Sequence, residues 1–318
     1  MRMQSNIHGI LILDKPLGVT SNRALQEAKN LLKATTKAGH GGSLDPTATG
    51  LLPLYFGEAV KFSRFSLEAD KHYQVTAALG IRTDSGDLEG EILERRPIPV
   101  LSELQVEKVL ASFRGTILQV PPMYSALKYQ GKTLYKLARK GIVIERTPRE
   151  VTIHTLSLLA LREDTLDLDV VVSKGTYIRS LVESIGEALG CGAHVSALRR
   201  VAAGPYHSEQ MLRFEELNSV LVEGGRAALK ACLLPVNSGL DLPILRLDAA
   251  FADRAIKGQV LPLPESGVLS EVTIIELMAG QWVCLHTLEN QFLGIGQILD
   301  NECVAPRRML STDTLTLS

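Results

Sequence analysis

The sequence predicts an α+β fold, in which helices flank a mixed, mainly antiparallel sheet and a small β-barrel domain follows at the C terminus. Helical and strand-like apolar patterns both occur in the first 240 residues. They do not alternate regularly, as they would in a doubly wound parallel sheet. After residue 245 only short strand-like runs occur, separated by Gly, Asn and Asp, which is typical of a small barrel.

The N-terminal elements are a strand, a helix and a long loop. Residues 9–14 form an apolar run that ends at a Lys-Pro turn, which predicts a buried strand. Thr20 or Ser21 caps a helix that runs to about Lys33. Residues 34–53 show no period and are rich in Gly, Thr and Ser. We expect a long loop there, and such loops inside compact domains are usually functional or disordered.

Four further elements follow in the middle of the chain. Strands are expected over residues 72–79 and 166–173, the second from its alternating acidic and apolar residues. Ser102 begins a helix, with Gln105 as its capping-box partner. A second strong amphipathic helix is expected over residues 176–189.

The segment 237–245 is the best domain boundary. It divides the chain into a large domain, residues 1–240, and a small C-terminal domain, residues 245–318. Strands of the small domain are expected over residues 272–277, 282–288 and 292–299.

The composition predicts a soluble cytoplasmic protein. Hydrophobic residues make up 45% and charged residues 22%, close to a globular average. No apolar run is long enough for a membrane span, and no signal peptide is recognisable. Four cysteines without a CxxC pair and seven scattered histidines give no metal-site spacing. We therefore expect no metal, and the signature of a zinc deaminase is absent.

Charge is distributed unevenly. The whole chain has 34 basic and 35 acidic residues, which taken alone argues against a nucleic-acid partner. Residues 128–149, however, carry seven cations and one anion. If residues 132–140 are helical, Lys132, Lys136 and Lys140 line one face, which indicates phosphate contact more than a solvated surface.

The loop GHGGSLDPTATG, residues 39–50, carries one acid, Asp45. The proline after it disfavours helical geometry at Asp45. The loop lacks the lysine of a phosphate-binding P-loop. Residue types alone favour an Asx-turn, in which the carboxylate accepts a nearby backbone N–H.

The sequence resembles the TruB family of bacterial tRNA pseudouridine synthases nearly end to end. The loop is similar to that family's nucleophile motif. Four further segments appear in the expected order: ILDKPLGVTS (12–21), GEAVKF (57–62), PPMYSALKYQGKTLYKLARKG (121–141) and KGTYIRSLVESIGEALGCGAHVSALRR (174–200). Gly41 departs from the pattern, because the family commonly has threonine or serine there.

The resemblance implies an isomerase that needs no cofactor. It detaches uracil from C1′ of the ribose, turns it and rejoins it through C5, at position 55 in the TΨC loop of tRNA. Asp45 would be the essential carboxylate, acting either as a nucleophile or as the base that gives a glycal intermediate. Both roles need an ionised carboxylate. Arg179 matches the family arginine, whose fork can hold Asp45 bidentately.

Further site residues follow from the resemblance. The target base must be flipped out and stacked, and the matching pocket and RNA-contacting residues are His40, Lys61, Tyr73, Tyr177 and Leu198. For the two tyrosines, a core aromatic with a bonded hydroxyl is the structural alternative. For Lys61 the alternative is an ordinary solvated lysine.

The partner implied is the T arm of tRNA. An insertion at about residues 124–150 would contact the RNA backbone through Lys128, Lys132, Lys136 and Lys140. Residues 245–318 match the family's PUA-like domain, although they hold 5 basic against 9 acidic residues. We expect a monomer that binds no membrane. The alternative function is a non-catalytic tRNA-binding or tRNA-folding protein on the same scaffold.

Overall fold

The computed structural model describes residues 6–263, 268–270, 277–300 and 303–312. Helices among these residues are α1 Ser21–Leu32, α2 Ser63–Glu68, α3 Glu103–Ala111, α4 Leu134–Ala138, α5 Ile178–Ala188, α6 Phe214–Ala231 and α7 Ala249–Ile256. Short 3₁₀-helices cover Gly57–Phe62 and Ser208–Gln210.

The strands are β1 Gly9–Lys15, β2 Ala38–His40, β3 Ala48–Phe56, β4 Lys71–Leu79, β5 Ile81–Thr83, β6 Ile92–Arg95, β7 Gly115–Gln119, β8 Lys128–Tyr129, β9 Lys132–Thr133, β10 Arg149–Leu161, β11 Thr165–Val172, β12 Ala193–Ala203, β13 Tyr206–His207, β14 Ile244–Leu247, β15 Leu261–Pro262, β16 Val268–Ser270, β17 Trp282–Thr287, β18 Phe292–Leu299 and β19 Cys303–Met309.

A nine-stranded sheet organises the first part of the chain. Its main order is β1-β3-β12-β4-β11-β10-β7, with β2 paired to β3 and β13 to β12. Of these pairs only β3 with β12 is parallel. Helices α3 and α5 cover the apolar face of β4, β11 and β10. Helices α1 and α6 cover β1 and β3. The predicted mixed, mainly antiparallel sheet flanked by helices is confirmed.

A six-stranded sheet, order β15-β19-β18-β17-β14-β16, forms the C-terminal part together with α7. Its core is apolar, with Leu245, Leu285 and Val304 fully buried. The predicted strands over 282–288 and 292–299 are present as β17 and β18. The run predicted over 272–277 lies, up to residue 276, outside the described residues.

Local capping signals identified the helix starts well. The Thr20 side chain accepts a hydrogen bond from the Arg23 N–H at 3.2 Å, so Thr20 is the N-cap of α1. Ser102 and Gln105 form the predicted capping box of α3. A cap of this kind contributes about 1 kcal/mol to helix stability.

The long loop predicted over residues 34–53 is wrong. Strand β2 lies within that range and β3 begins at Ala48. Pro53 and the small residues before it hid the strand, because proline is normally excluded from strand interiors. Only residues 41–47 connect the two strands, and they carry Asp45. In the part of the chain that the structure describes, no helix has the length and apolarity needed to cross a membrane.

Candidate active site

The loop that carries Asp45 is anchored on both sides by the segment after β1. The Ser21 hydroxyl accepts a hydrogen bond from the Leu44 N–H at 2.8 Å and donates one to the Leu44 carbonyl at 3.0 Å. The Gly18 N–H donates to the Pro46 carbonyl at 2.8 Å. These bonds restrain the residues next to Asp45, so the carboxylate has a defined position.

Arg179 lies beside Asp45 and is almost completely buried. Its Nε is 3.0 Å from Asp45 Oδ2, and its side chain is 7% exposed. The two terminal nitrogens donate to main-chain carbonyls, Nη1 to Ser85 and Nη2 to Tyr124, both at 2.7 Å. The predicted pairing is present, but the predicted bidentate hold is wrong, because the fork is occupied by these carbonyls.

A second carboxylate, Asp87, was missed by sequence reasoning. Its side chain is 6% exposed, and its Oδ2 lies 3.8 Å from Arg179 Nη1. The Thr47 hydroxyl, two residues after Asp45, donates to the same oxygen at 3.4 Å. Asp87 therefore contacts both the arginine and the loop. The sequence signals only an acidic turn region, from Asp84 to Asp87, after the strand predicted over residues 72–79.

Burial raises the pKa of Asp45 above the ordinary aspartate value, and the negative charge of Asp87 adds to the rise. Arg179 and Lys15 oppose it with their positive charges. The Asp45 side chain is nevertheless 45% exposed, so the carboxylate remains accessible from solvent. The two cations thus favour the ionised form of this carboxyl, against the effect of burial.

Lys15 is a second residue that the sequence did not single out. It is fully buried, and its Nζ donates to the carbonyls of Pro16 and Val19 at 2.9 and 2.7 Å. Burial lowers the pKa of Lys15 to about 8. Its charge is therefore present at neutral pH and lost in moderately alkaline solution.

Tyr73 and Leu198 lie in the hydrophobic cluster that supports the Asp45 loop. Tyr73 is 9% exposed on β4 and shares this cluster with Leu44 and Ala48. Leu198 on β12 is opposite Ala48 of β3 and packs on the same cluster. These two predicted pocket residues thus belong to the apolar cluster that also holds Leu44 and Ala48, on either side of Asp45 in the sequence.

Tyr177 is the N-cap of α5, two residues before Arg179. Burial raises the pKa of its phenol, so the hydroxyl stays protonated at neutral pH. Its peptide group is held by the side chain of Gln119. The helix predicted from residue 176 therefore starts at Ile178.

His40 ends β2 on the way into the loop. Burial and the charge of Arg200 lower the pKa of His40, so the ring is neutral at neutral pH. Its Nδ1 is buried without a hydrogen-bond partner among the described residues. Arg200 also supports the loop, since its Nη2 donates to the Gly42 carbonyl at 3.1 Å.

Steric crowding explains why position 41 holds a glycine. A Cβ at Gly41 would lie 2.6 Å from the Ser66 hydroxyl oxygen and 2.9 Å from a ring carbon of Tyr55. Ser66 thus occupies the space that a side chain at position 41 would need.

The structure does not bring Lys61 to Asp45. The Lys61 Nζ contacts Glu58 at 2.7 Å and donates to the Met309 carbonyl at 2.8 Å. It lines a cavity of about 730 Å³ with Arg307 and Arg308, between the two sheets. A role for Lys61 in the site stays a prediction.

All four insertion lysines are exposed. The helical face proposed for residues 132–140 is wrong: Lys132 belongs to β9, and α4 covers only Leu134–Ala138. Three of the lysines, Lys132, Lys136 and Lys140, nevertheless surround one cavity of about 690 Å³. Lys128 lies in the neighbouring hairpin.

Comparison with known proteins identifies the family. A model of the TruB family pseudouridylate synthase N-terminal domain matches residues 29–178. Models of tRNA pseudouridylate synthase B C-terminal domain and of pseudouridine synthase II TruB C-terminal match residues 179–241 and 243–310. The chain belongs to the TruB family. The prediction that it is a pseudouridine synthase is thereby confirmed.

Two relatives of this TruB-family chain are named tRNA pseudouridine synthase B. The one from Ectopseudomonas mendocina is 50% identical, covering 98% of both chains. The one from Coxiella burnetii is 48% identical, covering 96% of this chain and 95% of its own length. The crystal structure of a Cbf5-Nop10-Gar1 complex contains a similar chain, with 26% identity and a TM-score of 0.75, covering 97% of this chain and 87% of that one.

The described residues contain no group of three or more His, Cys, Asp or Glu side chains that could hold a metal ion. The polar groups around Asp45 are instead paired with one another, through Arg179, Asp87 and Thr47.

Proposed function

We propose that this enzyme converts uridine 55 in the T arm of tRNA to pseudouridine, with Asp45 as the essential carboxylate. The observation that carries the proposal is the buried Arg179 paired with a carboxylate that is about half exposed, at 45%. A carboxylate that is both paired with a buried cation and accessible can stay ionised and still meet a substrate. The names of the relatives support tRNA as the substrate class.

The geometry leaves one carboxylate oxygen available for chemistry. Arg179 contacts Oδ2 of Asp45, and among the described residues no hydrogen bond is made to Oδ1. In the isomerisation the C1′–N1 bond breaks, a C1′–C5 bond forms, C5 loses its proton and N1 gains one. In the proposed reaction, Oδ1 would attack C1′ as a nucleophile or remove a sugar proton as a base. Arg179 stabilises the ionised form in either case.

The flipped uracil would stack against Tyr73, with Leu198 as an apolar wall and Tyr177 at the other side. RNA-modifying enzymes need such a pocket because a stacked base is inaccessible. His40 is neutral and partly buried, which suits contact with a loop base better than proton transfer. The insertion lysines would hold the phosphates, since exposed cations bind the backbone without reading sequence.

We further propose that residues 1–240 act as the catalytic domain and residues 245–318 as the PUA-like domain. We also propose that the protein is a monomer. Sedimentation of the protein alone tests this. The four thiols are free, which fits a reducing compartment such as the cytoplasm. No observation supports the non-catalytic alternative.

The test is tritium release from tRNA labelled at C5 of uridine, with the product position mapped. Asp45→Asn should abolish release while its affinity for tRNA stays within about twofold, because the phosphate contacts lie elsewhere. Asp253→Asn, in an exposed pair with Lys257, is the matched control and should behave as wild type. Equal rates for wild type and Asp45→Asn would defeat the assignment.

A further inference from the structure

Gln119 lies at the base of the insertion and contacts the pocket. It is the last residue of β7 and pairs with Arg149, the first residue of β10, so the insertion leaves and rejoins the sheet here. Its side chain is directed at the main chain of Tyr177. Nε2 donates to the Tyr177 carbonyl at 3.1 Å, and Oε1 accepts the Tyr177 N–H at 2.8 Å.

Gln119, which lies outside α5, accepts a hydrogen bond from the N-terminal end of that helix. The first N–H groups of a helix have no partner within it, and α5 has no side-chain cap of its own. Gln119 is 7% exposed. Burying a carboxamide is unfavourable unless it is hydrogen bonded, so an apolar residue would pack there at lower cost. We call the two hydrogen bonds from the Gln119 side chain to the Tyr177 main chain the clamp. Its presence at a buried position indicates that it holds the Tyr177 main chain in place.

The same segment of chain also contacts Arg179. From Gln119 it passes through Pro121 and Pro122, whose rings restrict the backbone, to Tyr124. The Tyr124 carbonyl accepts a hydrogen bond from Arg179 Nη2 at 2.7 Å. Residues 119–124 thus hold Tyr177 at one end and Arg179 at the other, and they lead directly into the basic insertion.

We propose that Gln119 is a positioning residue, which fixes the first turn of α5 and so links the insertion to the orientation of Arg179. The inference rests on the proposed roles of Asp45 and Arg179. RNA bound to the insertion would restrain residues 119–124. Through the clamp, this restraint would extend to Arg179, which lies beside Asp45. Gln119 itself touches neither substrate nor reacting atoms.

The experiment compares Gln119→Met with Gln297→Met. Methionine matches glutamine in length but cannot clamp a peptide. Gln297 donates to the Gly280 carbonyl in the C-terminal sheet, so it controls for loss of an amide-to-carbonyl bond. Gln119→Met should lower kcat about 10- to 100-fold, as expected for a displacement near 1 Å, with KM for tRNA within twofold. Gln297→Met should leave both unchanged.

Two readouts separate positioning from general damage. Hydrogen exchange should accelerate in a peptide covering residues 174–181 and not in one covering α3. The acid limb of the kcat profile should move to higher pH, because a displaced Arg179 no longer lowers the pKa of Asp45. A rise in KM with unchanged kcat would overturn the proposal. So would a fall in kcat that leaves the acid limb and the exchange unchanged.

Gln119→Glu keeps the length and one acceptor for the Tyr177 N–H but loses the donor. If the methionine variant does not fold, this variant decides: a kcat below wild type with faster hydrogen exchange in residues 174–181 supports the proposal, and wild-type values of both overturn it. Activity in Asp45→Asn would instead defeat the proposed function. An inactive Asp45→Asn beside wild-type Gln119 variants defeats only the present inference.

Discussion

The surroundings of Asp45 and the basic insertion use charge in opposite ways. Arg179 is 7% exposed and contacts two carboxylates and two carbonyls. The insertion lysines Lys128, Lys132, Lys136 and Lys140 are exposed. None of them forms an ion pair like those of Lys61 or Lys257 among the described residues. Buried charges interact strongly and hold geometry, whereas exposed ones are screened and bind diffusely. The first region should therefore control turnover and the second affinity.

Replacing Arg179 should give the largest effect. Arg179→Met leaves the buried Asp87 without its cation, and breaking a buried pair costs about 3–5 kcal/mol. We expect turnover to fall at least about 100-fold and the midpoint of thermal unfolding to drop. Arg179→Lys keeps the charge but cannot reach two carbonyls and a carboxylate together, so it should restore stability more than activity. Full activity in Arg179→Lys would show that only charge matters.

Removing the charge of Asp87 should have a smaller and more specific effect. Asp87→Asn keeps the shape and one acceptor for Thr47 while weakening the hold on Arg179. We expect kcat to fall about tenfold, in line with the loss of a bond to a charged group. Because Asp87 raises the pKa of Asp45, its removal should shift the acid limb to lower pH. An unchanged limb in single-turnover profiles would contradict the pairing, and Asp167→Asn on β11 is the control.

The insertion should respond through binding. The triple replacement of Lys132, Lys136 and Lys140 by Gln should raise KM and leave kcat unchanged. The slope of log affinity against log salt should fall by about 0.7–0.9 for each phosphate that the variant no longer neutralises. Replacing the exposed Lys108 and Lys257 is the control. A salt slope equal to that of wild type would place the RNA elsewhere.

Lys15 gives the smallest expected change. Turnover needs ionised Asp45, so activity should decline as pH falls through the raised pKa of that carboxyl. Lys15 lowers this pKa by its charge, so Lys15→Met should move the acid limb upward. A profile of kcat against pH for the folded variant checks the sign. A downward shift would contradict the proposed electrostatics.

Most of the fold was predictable because its signals are local. The capping box of α3 and the alternation along β11 lie within a few residues of sequence. The site was not predictable in this way: residue types suggested only a turn for Asp45, and the resemblance supplied its role and that of Arg179. The residues missed are held by long-range contacts. Thr47 and Asp87 are 40 residues apart, and Arg200 and Gly42 are 158 apart.

The most direct test measures single-turnover rate and tRNA affinity together in Asp45→Asn and in the triple lysine variant. We expect each variant to lose the property that the other keeps. Asp45→Asn should bind tRNA as wild type does and form no pseudouridine. The lysine variant should bind weakly but reach the wild-type rate when saturated. Loss of both properties in either folded variant would contradict the division between chemistry at Asp45 and binding at the insertion.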